Sequence, residues 1–60
     1  MRYFKSECFI YEVTDDLTKY HSIYNLETKK HLKGSWWDAY PDYWKDDIEL
    51  TKKEVFIELL

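Results

Sequence analysis

The first part of the chain has a pattern of aromatic and β-branched residues that predicts an extended strand. Between residues 3 and 13, apolar side chains occupy both alternating sets of positions, so neither face of a strand here would be purely polar. This pattern is typical of a strand that is covered on one side and partly on the other. Thr14, Asp15 and Asp16 follow, and they predict a turn because aspartate bonds its own downstream backbone.

The next segment, residues 17–26, fits two patterns. Leu17, Tyr20, Ile23 and Tyr24 have spacings that a helix could use, with an aspartate as its cap. The same stretch is rich in good strand formers, and its residues also alternate with a period of two. Because the preceding turn is short, we predict a strand over 17–26 that forms a hairpin with the first strand. A helix is the alternative.

The middle of the chain predicts one more strand and a short helical turn. The strand covers residues 31–37, follows a turn at 27–30 and is interrupted or ended at Gly34. Pro41 suits the first position of a helix, and Asp42 would then lie in the first turn, where the helix dipole favours negative charge. We therefore expect a helical turn near residues 41–46.

The end of the chain has the clearest local signal. Thr51 and Glu54 have the spacing of a capping box, in which each side chain bonds the other residue's backbone at the start of a helix. Leu50 precedes the cap, in position for a hydrophobic contact with Val55. The pattern predicts a helix over 52–60, which is too short to be stable unless it packs on another element.

Together these elements predict an α+β fold. It consists of a small three-stranded antiparallel sheet (residues 3–13, 17–26 and 31–37), a helical turn near 41–46 and a C-terminal helix at 52–60 across one face of the sheet. Sixty residues allow one domain, spanning 1–60. A chain of this size buries only about 60% of its unfolded surface, so a partner subunit would add needed burial.

The net charge argues against general nucleic-acid binding. The chain has nine lysine and arginine residues and twelve aspartate and glutamate residues, and its net charge of −3 disfavours binding to nucleic-acid phosphates.

The cysteine content and the N-terminal residues indicate the cellular compartment. Cys8 is the only cysteine, so no intrachain disulfide can form, and a single thiol indicates a reducing compartment. The N-terminal residues have neither a signal-peptide pattern nor a long apolar run. We predict a cytoplasmic protein without a membrane span.

The residues that could carry chemistry lack the spacing of a catalytic or metal site. Cys8, His21 and His31 show neither a nucleophile–base pattern nor metal-ligand spacing. If residues 38–46 were helical, Asp38 would share a face with the carboxylates at 42 and 46 and could attract Ca²⁺, but the EF-hand pattern is absent. We predict that the protein is not an enzyme and takes no cofactor or metal.

The stretch SWWDAYPDYW, residues 35–44, is the candidate binding site because it places five aromatic side chains within ten residues. So small a core cannot take all five, and Trp36 and Trp37 would face opposite sides of an extended segment. An exposed aromatic surplus marks a contact site. We predict contact with another protein through Trp36, Trp37, Tyr40 and Trp44, with a symmetric homodimer as one form. The alternative is a module that stacks these aromatics on a carbohydrate or a single-stranded nucleic acid.

Two resemblances involve these segments. The chain length and the Trp36-Trp37 pair are similar to SH3 domains, whose paired tryptophans grip proline-rich peptides, although the Ala-Leu-Tyr-Asp-Tyr start of that family is missing. The segments 9–13 and 50–55 resemble a loose class of small, uncharacterised bacterial or phage proteins, in which a strand-rich start leads to a Thr-x-x-Glu-capped helix. That class implies the layout of the fold and no transferable activity.

Overall fold

The computed structural model describes all residues 1–60 and contains an antiparallel sheet with one C-terminal helix. The elements, in chain order, are β1 (Arg2–Lys5), β2 (Phe9–Val13), β3 (Lys19–Asn25), β4 (Lys30–His31), β5 (Trp37–Asp38), a 3₁₀ turn (Pro41–Trp44), β6 (Ile48–Leu50) and α1 (Lys52–Glu58). The sheet order is β4-β3-β2-β1-β6, and β5 also pairs with β3. The α+β class is therefore confirmed, but the sheet has six strands and not the predicted three.

The predicted first strand, residues 3–13, is in fact two strands that form a hairpin. The chain turns back after Lys5, and β1 pairs antiparallel with β2. Ser6 closes the turn, because the backbone N–H of Phe9 donates to its hydroxyl oxygen at 3.1 Å and its own N–H donates to the carbonyl of Phe9 at 2.9 Å. Sequence reasoning missed this turn because Ser6 is its only strong turn residue and apolar side chains continue on both sides.

The segment 17–26 is extended, as predicted, and β3 pairs antiparallel with β2. Asp16 organises the connecting turn: its carboxylate accepts hydrogen bonds from the hydroxyls of Thr14 and Thr18, each at 2.7 Å, and from the backbone N–H of Thr18. These bonds, the Thr18 hydroxyl first, lower the pKa of Asp16 to about 2. Leu17 follows with a φ of 63°, in the left-handed region that the tight turn requires.

A bulge in the β2–β3 pairing decides which tyrosines face which side of the sheet. Ile10 is paired with Tyr24, but the next residue of β2, Tyr11, is paired with Ser22, so Ile23 is an extra residue on β3. An extra residue reverses the alternation of side chains beyond it. Tyr20 and Tyr24, which a regular strand would place on one face, therefore lie on opposite faces.

The predicted third strand, residues 31–37, is two strands of two residues each. Both β4 and β5 pair with β3, at its two ends, and the last backbone bond after β4 runs from the N–H of Leu32 to the carbonyl of Ile23. The interruption falls around Gly34, as the sequence suggested. The helical turn is confirmed with Pro41 at its start and Asp42 in its first turn, although it ends at Trp44 rather than near residue 46.

Strand β6 was not predicted. It pairs with β1, which places it at the edge of the sheet opposite β4. Its three residues directly precede the capping box. The sequence pattern therefore predicted only that Leu50 would contact the helix, and not that it would pair with another strand. A strand this short has no alternation of its own to detect, and its pairing depends on the free edge of β1.

Each face of the sheet has its own small core. On one face, Ile10, Tyr24 and Leu50 pack with Val55 of α1. On the other face, Phe4 and Val13 pack with Trp44 of the 3₁₀ turn. The residues alternate between faces along each strand, so the helix and the 3₁₀ turn cover opposite sides of the same sheet.

Helix α1 begins as predicted and ends earlier. Thr51 accepts a hydrogen bond from the backbone N–H of Glu54, and the Glu54 carboxylate accepts one from the N–H of Thr51 at 2.9 Å, which completes the capping box. Leu50 and Val55 share one core, so the predicted contact across the cap is confirmed. The helix covers 52–58 rather than 52–60. None of the helices is long and apolar enough to cross a membrane.

Thr51→Ala should lower the free energy of unfolding by about 1 kcal/mol, because one orphan N–H loses its acceptor and the capping box is broken. Urea unfolding followed by circular dichroism measures the difference. Thr28→Ala is the matched control, since Thr28 is exposed and its hydroxyl makes no hydrogen bond. Equal losses in the two variants would contradict the role of the cap.

Lys29→Gly should raise the free energy of unfolding by about 0.5–1 kcal/mol, because Lys29 has a φ of 60°, where a side chain is strained and glycine is not. The same change at Lys30, which lies in β4, should destabilise, because glycine weakens a strand. Thermal unfolding of the two variants side by side tests this. A stabilised Lys30→Gly or a destabilised Lys29→Gly would show that the turn does not constrain the backbone as described.

Candidate contact surface

Trp44, one of the four predicted contact residues, lies in the core. It is buried, its ring is stacked on Phe4 with centroids 5.2 Å apart, and it meets Tyr11 and Tyr20 edge-on. Its indole N–H has no hydrogen-bond partner, so the side chain contributes by packing. The inclusion of Trp44 in an exposed contact set was therefore wrong. A small sheet needs a large side chain to cover its second face, and Trp44 is that side chain.

Three other aromatic residues of this region are exposed and lie on the same side of the sheet as Trp44. Trp37 is 64% exposed, Tyr40 62% and Tyr43 50%. Trp37 is paired with Tyr20 across the β3–β5 ladder, the Tyr20 ring is stacked on that of Tyr43 at 5.7 Å, and Tyr43 meets Tyr40 edge-on at 5.8 Å. We call Trp37, Tyr40 and Tyr43 the aromatic surface. Trp37 and Tyr40 were predicted contact residues; Tyr43 was not.

Trp36 lies on the opposite face of the sheet from Trp37. Its ring packs on the imidazole of His21 with centroids 4.1 Å apart. His21 neighbours Tyr20 on β3 and therefore points away from it. The adjacent tryptophans thus face opposite sides, as predicted, and Trp36 is 44% exposed against 64% for Trp37. Trp36 is separated from the aromatic surface by the thickness of the sheet.

Acidic side chains accompany the aromatic surface. Residues 41–47 carry Asp42, Asp46 and Asp47 against one lysine, Lys45, and none of these three carboxylates is in an ion pair. Burial, and then the neighbouring charge of Asp46, raise the pKa of Asp47 above its ordinary value. Asp38 lies in β5 opposite Lys19, so the helical face of carboxylates considered from the sequence does not form. The segment that carries Tyr43 is therefore net negative, and Asp46 and Asp47 at its end line a groove together with residues of the β1–β2 turn.

A second group of polar side chains joins three strands on the helix-covered face. Glu12 on β2 accepts a hydrogen bond from the Tyr3 hydroxyl of β1 at 3.0 Å, and its other oxygen lies 2.8 Å from Nε2 of His21 on β3. The bond to His21, followed by that to Tyr3, lowers the pKa of Glu12. Sequence reasoning missed this group because it appears only when the register of both hairpins is known.

The Glu12 group has the chemistry of a structural clamp. Each of its two carboxylate oxygens bonds a side chain of a neighbouring strand, Tyr3 of β1 or His21 of β3. The groove beside it, about 840 Å³, is open, and it is lined in part by Arg2, which donates two 2.8 Å hydrogen bonds to Glu49. The group instead ties β1, β2 and β3 together beneath Trp36.

The remaining chemical candidate, Cys8, is half-buried in the β1–β2 turn. Its thiol lies 3.4 Å from the Glu27 carboxylate, and that bond and charge raise the pKa of Cys8. A raised pKa leaves less thiolate at neutral pH, which makes this cysteine a poor nucleophile. No group of three or more histidine, cysteine, aspartate or glutamate side chains is arranged to hold a metal ion.

The Glu12 clamp predicts a pH dependence of stability. Because the folded-state pKa of Glu12 is below its ordinary value of 4.5, its stabilising contribution is complete above that value and disappears as the pH falls through the folded pKa. Glu12→Gln should therefore be less stable near neutral pH and should flatten the fall in unfolding free energy under acidic conditions.

Urea unfolding at a series of pH values tests this, with Glu7→Gln as the control because Glu7 is exposed and makes no side-chain hydrogen bond. If the Glu12→Gln and wild-type curves stay parallel down to acidic pH, the clamp does not stabilise the fold.

In comparisons with known proteins, the chain matches no protein-family model, no curated protein and no solved structure. Its function must therefore be argued from its own geometry, in which the most distinctive feature is the aromatic surface beside Trp44.

Proposed function

We propose that this is a small, non-catalytic intracellular protein that binds another protein through the aromatic surface. The observation that carries the proposal is the exposure of three large aromatic side chains, Trp37, Tyr40 and Tyr43, on one side of the sheet. Tryptophan and tyrosine dominate the binding energy of protein interfaces, and exposed apolar patches of this kind usually mark contact sites. The reducing interior of the cell suits a chain whose one cysteine is free.

The aromatic surface has a rigid base, which favours binding. Tyr43 is stacked on half-buried Tyr20 and meets buried Trp44 edge-on at 5.2 Å. Pro41 restricts the backbone that connects Tyr40 to Tyr43. Side chains that are already ordered lose less conformational entropy when a partner covers them, so more of the contact energy appears as affinity.

The charges beside the aromatic surface favour a partner with basic residues. Asp42, Asp46 and Asp47 make no ion pairs within the chain, so they are available to a cationic side chain outside it. Complementary charges of this kind steer association and select among partners more than they add affinity. The same carboxylates repel nucleic-acid phosphates.

Carbohydrate binding is the second candidate function, because exposed Trp37 and Tyr40 rings beside the carboxylate of Asp42 combine a stacking platform with acceptors for sugar hydroxyls. Titration of the tryptophan fluorescence with simple sugars, and with single-stranded oligonucleotides for the nucleic-acid form of this alternative, separates it from protein binding. An unchanged spectrum with both ligand classes eliminates it.

Photo-crosslinking tests the protein-binding proposal. With benzoylphenylalanine in place of Tyr40, irradiation in cells of the source organism should produce a discrete protein adduct, because the partner lies against this side chain. A second change, Trp37→Ala, should reduce the adduct about tenfold or more, as expected for the loss of one interface hot spot.

Two controls accompany the crosslinking. Trp36→Ala removes the same type of side chain from the opposite face and should leave the adduct in place. Benzoylphenylalanine at Thr28, an exposed turn position away from the aromatic surface, should give none. If the Tyr40 position gives no more adduct than the Thr28 position, the aromatic surface does not bind a protein.

A further inference from the structure

Helix α1 carries a second exposed apolar surface. Phe56 is 72% exposed, Ile57 59% and Leu60 92%. Lys53, Phe56 and Ile57 have the spacing i, i+3 and i+4, which is one side of the helix, and Leu60 follows just beyond its end. Val55 on the opposite side is buried against the sheet. We call Lys53, Phe56, Ile57 and Leu60 the helix surface. A surface helix normally has one apolar side, and one that is apolar on both sides is normally covered on both.

The charges next to the helix surface sum to a small positive value. Glu58 is paired with Lys5 of the sheet at 2.9 Å, whereas Glu54 stays ionised, because its hydrogen bonds with Thr51 in the capping box lower its pKa. Lys52 and Lys53 make no ion pair within the chain. The helix surface therefore lies beside Lys52 and Lys53 with one unpaired carboxylate, Glu54, whereas residues 41–47 next to the aromatic surface carry three unpaired aspartates and one lysine.

These two complementary surfaces lie on opposite sides of the molecule. Trp44 and the aromatic surface lie on the face that carries Phe4 and Val13, and α1 packs on the face that carries Ile10 and Leu50. They cannot meet within one chain. They can meet between two copies, when the helix of one copy lies against the aromatic surface of the next.

We propose that the partner of the aromatic surface is the helix surface of a second copy of this chain, in a head-to-tail contact. This proposal rests on the proposed function and specifies its partner. A symmetric dimer through the aromatic surface would bring Asp42, Asp46 and Asp47 of both copies together, and like charges in an interface are repulsive. The head-to-tail contact instead places these aspartates near Lys52 and Lys53.

The available surface is sufficient for such a contact. The chain exposes 4561 Å², and an interface of ordinary size takes about 800 Å² from each partner, less than a fifth of that area. Because the two surfaces are distinct, each copy has one of each free after the first contact. Head-to-tail contacts of this type continue until they close into a ring, or they extend as a filament.

Paired knock-out variants of the full chain test the proposal by sedimentation velocity over a wide concentration range. Trp37→Ala/Tyr40→Ala removes the aromatic surface, and Phe56→Ala/Leu60→Ala removes the helix surface. The wild type should associate increasingly with concentration, and each variant alone should weaken association about tenfold or more. A mixture of the two should form a complex of two chains that grows no further, because each supplies the one surface that the other lacks.

Charge reversal gives an independent measurement that leaves the apolar side chains intact. Asp42→Lys/Asp46→Lys and Lys52→Glu/Lys53→Glu should each weaken self-association, and a chain with all four changes should recover it. Association of the wild type should weaken with added salt, since exposed charge pairs are screened. Trp36→Ala is the matched control and should associate like the wild type.

Three outcomes would overturn the proposal. A wild-type chain that stays monomeric at every concentration excludes self-association, whereas protein binding survives this result if the Tyr40 crosslink still yields an adduct. Undiminished association of the Phe56→Ala/Leu60→Ala variant shows a symmetric contact through the aromatic surface. A mixture of the two knock-out variants that forms no two-chain complex shows that the two surfaces do not bind each other.

Discussion

The structure depends on one constraint: both faces of its small sheet are apolar, and each must be covered by a short segment of the same chain. Trp44 covers one face from a 3₁₀ turn of four residues, stacked on Phe4. Val55 covers the other from a helix of seven residues, packed near Ile10. Neither segment would be stable alone, because isolated helices of this length are marginal in water. The sheet and its two covers therefore stabilise one another.

The same constraint explains the two exposed surfaces. A chain of sixty residues has no third layer to place behind its covers, so the outer sides of both segments face solvent. Beside Trp44 this exposes Trp37, Tyr40 and Tyr43, and beyond Val55 it exposes the outer side of α1. The small size of the chain thus also explains its exposed apolar side chains, because so small a core cannot enclose the large residues that lie next to Trp44 and Val55.

The charged side chains fall into two groups, those that are paired within the chain and those that have no partner in it. The ion pairs of the chain join elements that are distant in sequence, such as Arg2 to Glu49 and Lys5 to Glu58, and Glu12 links β1, β2 and β3. Exposed pairs of this type contribute little to stability individually, so their main effect is to favour one register of the strands. Among the charges left without partners, aspartates outnumber lysine in residues 41–47 and lysines outnumber glutamate in residues 52–54.

The sequence by itself determined the features that are encoded locally: the strand at 19–25, the turn that begins at Pro41, the capping box at Thr51 and the opposite orientation of adjacent tryptophans. Tertiary structure alone decided the rest. The pairing of β6 depends on a backbone partner far away in the chain, and the hairpin at Ser6 and the bulge that separates Tyr20 from Tyr24 depend on the register in which the strands pair. The burial of Trp44 was decided in the same way, because an aromatic residue is enclosed only where another element presents an apolar face to it.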